Sequence, residues 1–262
     1  MLSATIEGIG FWATGLPGWT LAQAFARGEG APLETPGRPS PQLLAPNERR
    51  RAPDTVAVSL DAALAACQDA GRDPATLPSV FTSTHGDLAI TDYMCTTLAS
   101  EPLSVSPTKF HNSVHNAAAG YWTIGAGATA AATAISAHSG SFAQGLLEAL
   151  SQLAAGEEAV LLVGYDSRSV GALGRIARSE GLLGGALVLS AGAGAGAGDG
   201  KPQLQVQLRD GTAPLGDGAL ARHAAGNAMA PMLPLFDALA LGGNGCVLDA
   251  GGGRCLQVEL RA

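Results

Sequence analysis

With 262 residues, 47% of them hydrophobic and only 14% charged, the chain can bury a large core as one big domain or two fused halves. Its formal charge of −7 excludes nucleic acid and an anionic membrane surface as natural partners, since both need clustered cations to displace counterions. Thirty-six glycines and 5% aromatics favour a layered α/β core filled by Ala, Leu and Val.

In chain order, Ser3 to Gly10 reads as a short opening strand, followed by an irregular stretch with Trp12 and Trp19 and a short helix around Leu21–Ala26. Residues 28–47 are rich in Gly and Pro and read as a long surface loop. The one dense basic run, Arg49-Arg50-Arg51, is a solvated approach to the next helix. From Asp54 to Ala70 apolar residues recur at helical spacing, with Asp54 as candidate N-cap and Gly71 as C-cap. Ser79–Thr84 follows as a strand, His85-Gly86-Asp87 as a turn, and Leu88–Leu98 as a helix. Ser106-Pro-Thr-Lys-Phe110 reads as extended, Asn116–Ile124 as a helix whose Ala117–Gly120 permit close packing, and Ala128–Ile135 as a strand.

The central stretch is Ile135–Asp166. Phe142, Leu146, Leu147, Leu150 and Leu153 share one helical face, with Ser139 or Ser141 as N-cap candidates and Gly156 as the stop. Ala159–Val163 is a continuous apolar run, the signature of a strand covered on both faces. The helix N-terminus points at Ala137-His138-Ser139, a place where unpaired N–H groups and the helix dipole favour negative charge. Beyond Asp166 come an Arg-containing connection, a strand at Gly184–Ser190, and the low-complexity run from Ala191 to Gly200. The final third reads as an alternating strand at Gln203–Leu208, a helix at Pro231–Leu241, and strands at Cys246–Asp249 and Cys255–Leu260.

Cys67, Cys95, Cys246 and Cys255 form no CxxC pair and are expected reduced and mostly buried, as in a cytoplasmic protein. No segment approaches the ~20 apolar residues of a membrane span. His111 and His115 lie four apart without an acidic or cysteine partner at ligand spacing, so neither a metal nor a cofactor is expected. Gly-x-Ser-x-Gly is absent.

The opening IEGIGFWATG, the helix DTVAVSLDAALAACQDAG after its Arg-rich approach, SPTKF, Asn116–Gly120 and the helix-then-strand ending AAGEEAVLLVGYD occur in an order that resembles the β-ketoacyl synthases. The resemblance implies a thiolase-like layered α/β/α fold, shortened relative to full-length ketosynthases. It spans 1–262 as a single domain: 3–190 a ketosynthase N-terminal-like half, 191–200 a flexible Gly/Ala linker, 201–262 a reduced second half. In ketosynthases the turn before the central helix carries a nucleophilic cysteine. Here the equivalent position falls at Ser139, or at Ala137 under the other register, and residues 137–141 contain no cysteine. After residue 138 the single histidine is His223, where Arg222 replaces the glycine of the family's Gly-His motif. The family's Gly-Phe-Gly-Gly element is not recognisable in Leu248–Gly253.

Among relatives, the small chain-length-factor-like subunits of aryl polyene pigment biosynthesis resemble this chain most. That likeness implies a non-catalytic subunit that heterodimerises with an active β-ketoacyl synthase and shapes its acyl tunnel. An acyl carrier protein would then be met only indirectly, through the partner. Thiolase-fold dimers join through the strand before the nucleophile turn and the preceding helix. Val114, Asn116, Ala119, Tyr121, Trp122, Thr133 and Ile135 therefore become the interface and tunnel candidates. The alternative is a serine-dependent acyltransferase or hydrolase using Ser139 with His138, His111 or His223 as base, which requires imidazole within hydrogen-bond reach.

Overall fold

The computed structural model describes residues 2–191 and 200–261, so the expected linker lies almost wholly outside the described residues. The first half contains β1 (Leu2–Ala13), β2 (Leu16–Pro17), α1 (Trp19–Ala26), α2 (Pro46–Arg51), α3 (Asp54–Ala70), β3 (Ser79–Thr82) and α4 (Leu88–Ser100). Then come α5 (Pro107–His111), α6 (Ala117–Ala126), β4 (Ala132–Ile135), α7 (Ser141–Ala154), β5 (Ala159–Asp166) and β6 (Leu183–Ala191). The remainder is β7 (Gln203–Asp210), α8 (Ala219–His223), α9 (Leu233–Leu241), β8 (Gly245–Gly251) and β9 (Arg254–Arg261).

Among the described residues, all strands join one mixed sheet in the order β4-β3-β5-β6-β1-β7-β9-β8, with β2 folded back on β1. β4, β3 and β5 run parallel, whereas β6 is antiparallel to both β5 and β1. Side chains of β5 alternate between the two faces. Val160 and Leu162 join α7 and α9 in one core, and Leu161, Val163 and Tyr165 join α3 and α6 in the other. Burial on both faces is why this strand lacks alternation in the sequence.

α3 lies against β1 where the strand is glycine. A Cβ on Gly8 or Gly10 would collide with the carbonyls of Ala66 and Ala62, so the alanine-rich face of the helix comes within backbone distance of the sheet. Beyond β1 the three strands β7, β9 and β8 alternate. Leu204, Val206, Leu256 and Val258 face the α7/α9 core, and Gln203, Gln205, Gln257 and Glu259 face the other way. The second half thus extends the same sheet.

Several local expectations differ from the structure. Ser106-Pro107 opens a one-turn helix, α5, in place of an extended segment. Pro107 takes the first helical position and the Ser106 hydroxyl accepts from the Lys109 N–H at 3.4 Å. Pro53 stands at the N-cap of α3, with Asp54 in its first turn. Gly140 is the N-cap of α7, and neither Ser139 nor Ser141 caps it through a side chain. Strand β4 starts only at Ala132. Among the cysteines Cys67 is buried, Cys246 and Cys255 are partly covered, and Cys95 is exposed on α4. Nothing packs within reach of a Cβ at Gly120, so the close approach expected of α6 is made by Ala118 and Ala119 alone.

Candidate functional site: the turn between β4 and α7

The sheet delivers Ile135 to one end of α7, and five residues make the connection. His138 has φ 53° and is the sole non-glycine residue with a left-handed backbone among the described residues. That conformation costs an L-residue roughly 1–2 kcal/mol and is most tolerable for Asn, Asp and His. Ser141 holds it in place. Its hydroxyl accepts from the Ala137 N–H at 2.9 Å and donates to the His138 carbonyl at 2.6 Å, and its own N–H reaches the same carbonyl at 3.1 Å. The apex of the turn is therefore His138, flanked by the two positions, Ala137 and Ser139, that register alone suggested. The sequence places His138 within the turn, but a left-handed backbone leaves no periodic trace, which is why its position at the apex could not be read there.

A second constraint comes from the far end of the chain. A Cβ on Gly140 would sit 2.7 Å from the carbonyl carbon of Ala250 and 2.8 Å from the Gly251 nitrogen, so the β8–β9 hairpin presses directly on the turn. Gln144 ties the two together by donating to the Ala250 carbonyl at 2.7 Å. The segment Leu248–Gly253, unrecognisable as a motif, is thus brought against the turn by the fold.

The loop after β3 closes the third side. Asp166, at the end of β5 and buried, accepts from Ser83 Oγ at 2.6 Å, from the Thr84 N–H at 2.9 Å and from the His85 N–H at 3.4 Å. Burial pushes its carboxyl above the usual range in spite of those donors. The Ser136 hydroxyl in turn donates to the Thr84 carbonyl at 3.0 Å, linking this loop to the turn.

Among the described residues no imidazole hydrogen-bonds to Ser139. His223 Nε2 meets the Thr14 carbonyl at 2.8 Å and its ring packs edge-on against Phe25 at 5.3 Å. His115 Nε2 meets the Ser83 carbonyl at 3.0 Å, and His111 packs edge-on against Tyr121 at 6.2 Å. Asp87 caps α4 through the Ile90 N–H and accepts from Thr55, with no bond to His85. Among the described residues no three His, Cys, Asp or Glu side chains converge on a possible metal position. Beside Ser139 lies a cavity of about 420 Å³ walled by Pro214, Leu215, Pro231, Pro234, Val247 and Asp249. A second, of about 450 Å³, opens away from the turn between Asp54, Asp87, Lys109 and Arg168.

The interface candidates separate into two groups. Among the described residues β4 is the outermost strand and pairs only with β3, leaving its other edge open; Thr133 and Ile135 on it are half-buried. Val114 and Asn116 are exposed and Tyr121 is half-buried, so these five can meet a partner. Ala119 and Trp122 are buried within this chain. Trp122 is 0% exposed, with its ring 6.2 Å from Phe81, and Ala119 is buried beside it, so both belong to the core between α6, α3 and the sheet. Sequence reasoning missed Ile124 on α6, the helix that packs on β4, and Phe110 on α5, which stand 70% and 62% exposed, as well as the exposed Leu98 and Leu103. Single apolar residues in short helices carry no pattern that would mark them as exposed. Among the described residues no helix is long and apolar enough to cross a membrane.

A mixed sheet between two helical layers, with its central helix rising from a strained turn, is the thiolase-like architecture, and solved structures share it along the whole chain. The protein superposes on a chain of the complex of the ketosynthase ApeO with its chain length factor ApeC from Xenorhabdus doucetiae with TM-score 0.76 and 24% identity, over 99% of this chain and 100% of that one. On the ishigamide ketosynthase/chain length factor the TM-score is 0.71 at 16% identity, over 100% and 99% of the two chains. A β-ketoacyl synthase from Burkholderia phymatum STM815 gives 0.63 at 16% identity, over 91% of this chain but 71% of that one. Residues 22–199 match the N-terminal domain of the β-ketoacyl synthases, and the chain belongs to that family. No curated protein sequence matches it.

Proposed function

We propose that this chain is a non-catalytic, chain-length-factor-like subunit that pairs with an active β-ketoacyl synthase, in aryl polyene or related polyketide or fatty-acid-type biosynthesis, and shapes the acyl tunnel of that partner. The observation that carries this reading is the turn itself. It stands at the head of α7 without a cysteine, its apex is an exposed histidine, and among the described residues no imidazole hydrogen-bonds to the neighbouring Ser139 hydroxyl. The surface assigned to the partner is the open edge of β4, Ile124 on the adjoining α6, and the exposed Phe110 and Val114. Val114, Asn116, Tyr121, Thr133 and Ile135, exposed or half-buried, are the side chains this reading assigns to the border of the partner's tunnel. An acyl carrier protein would reach the pair through the catalytic subunit, and the site of action is the cytoplasm.

Co-expression with a catalytic β-ketoacyl synthase from the same source tests the reading. The two should elute as one complex, and Phe110→Asp with Ile124→Asp should weaken it by at least about tenfold, since buried aromatic and aliphatic anchors dominate such interfaces. Separate elution of the wild-type proteins, with pigment or polyketide output unchanged on deletion of this chain, refutes it. Within the complex, Ser139→Ala should leave the product and its rate unaltered. A fluorophosphonate adduct on Ser139 that disappears in this variant would instead support the serine-dependent alternative.

A further inference from the structure

The connection between β5 and β6 is an excursion of unusual charge. Residues 167–179 contain three arginines and no carboxylate, in a chain of net charge −7. Its neck is closed by the Ser179 N–H donating to Ser169 Oγ at 2.9 Å and the Ser169 N–H donating to the Ser179 carbonyl at 2.9 Å. The base is fastened to the body by the Ala228 N–H, which donates to Ser179 Oγ at 3.1 Å. Within this ring the backbone turns through a 3₁₀ segment at Leu173–Arg175 that packs on α4. Leu173 and Ile176 project outward, Ile176 being 83% exposed. Arg168, Arg175 and Arg178 are exposed, and none makes an ion pair or a side-chain hydrogen bond among the described residues.

Two apolar knobs between unpaired guanidinium groups, on a loop already closed by its own hydrogen bonds, cost little ordering entropy to bind. Through α4 the loop is continuous with the surface carrying Leu98, Leu103 and Phe110. We propose that this loop is a docking prong for the partner ketosynthase subunit, its Leu173 and Ile176 entering an apolar recess that the partner rims with carboxylates. The inference rests on the function proposed above and adds to it the chemistry of the partner's surface. Arginine suits that task, because its planar fork pairs with carboxylates bidentately and is only weakly hydrated. Unlike charges at the rim steer encounter and fix orientation, so the pairing acquires a salt dependence that an apolar strand edge alone lacks.

The test uses the wild-type complex and two variants, Arg175→Glu/Arg178→Glu and Leu173→Ala/Ile176→Ala, titrated against the partner at about 50 mM and about 500 mM salt. Charge reversal is expected to weaken association by about 10–100-fold at low salt and to abolish most of its salt dependence. The apolar pair should weaken it about tenfold at both salts. Both variants should melt as the wild type does, because none of the four side chains contributes to the core. Binding within about twofold of wild type by the charge-reversed chain, with an unchanged salt slope, overturns the prong while leaving the heterodimer standing. If the wild type fails to bind the ketosynthase at all, both proposals fall. If charge reversal instead disrupts only a dimer of this chain, the occupant is a second copy and the assignment to the ketosynthase is overturned.

Discussion

Trp122→Ala is expected to lower the stability of the chain by about 3–5 kcal/mol, the usual cost of emptying a fully buried aromatic site. The side chain is inaccessible to solvent and is among the largest in the core between α6, α3 and β3. Its ring lies 6.2 Å from Phe81, which in turn packs edge-on to Tyr165 at 6.3 Å, so one substitution unsettles a chain of three aromatics. Among the described residues the indole N–H has no acceptor. Trp122→Phe therefore forfeits apolar volume without losing a hydrogen bond, and should cost only about a third as much. Urea unfolding of the three proteins measures both numbers. A loss below about 1 kcal/mol for alanine, accompanied by loss of partner binding, would return Trp122 to the interface and contradict its place in the core.

Asp166→Ala is the second large effect, expected at about 2–3 kcal/mol, because it strands the buried Ser83 Oγ, at about 1–3 kcal/mol, and removes the acceptor of the half-buried Thr84 and His85 N–H groups. The same residue gives stability a pH dependence whose sign follows from burial. Its carboxyl is raised in the folded state, as is that of Asp237, so between the ordinary carboxylate pKa and the raised one the folded chain holds more protons than the unfolded one. Stability from these groups is fully present below the ordinary pKa and is lost as pH rises through the raised one. Glu7 works in the opposite sense, since Arg72 beside it holds its carboxyl low, and its contribution is lost as pH falls. In Asp166→Asn the loss on raising the pH from about 4 should be smaller than in the wild type. An identical slope in the two proteins would show that Asp166 does not titrate in this range.

Both predictions concern residues that periodicity could and could not place. The helix α3, with its left-handed Gly71, and the amphipathic α7 followed by a doubly buried β5 are legible because their apolar spacing is enforced by a sheet on one side or both. The alternating β7 and β9 are legible for the converse reason, one face being wet. Trp122 sits in a helix of alanine and glycine where so many small residues blur the apolar face, and an aromatic there reads equally well as core or as interface. Ser106-Pro107 suits both an extended segment and a helix start, and only the Lys109 N–H meeting the serine hydroxyl decides between them. Within the site the turn's location was readable from the helix that follows it. Its apex at His138 was not, nor was the contact of Gly140 with Ala250, because a close approach between residues so far apart leaves no local mark.

That contact has a temporal side. The turn reaches its final shape only when the hairpin of β8 and β9, more than a hundred residues further along, has docked against Gly140, and β1 completes its pairing only when Gln203–Val206 comes alongside Leu2–Thr5. Pairings this distant in the chain form slowly, since the closure entropy of a long loop is lost before any contact compensates it. During synthesis the first strand and the central turn therefore wait for the final third of the chain, and a nascent chain stalled before residue 245 exposes the α7/α9 core along the edge where β8 belongs.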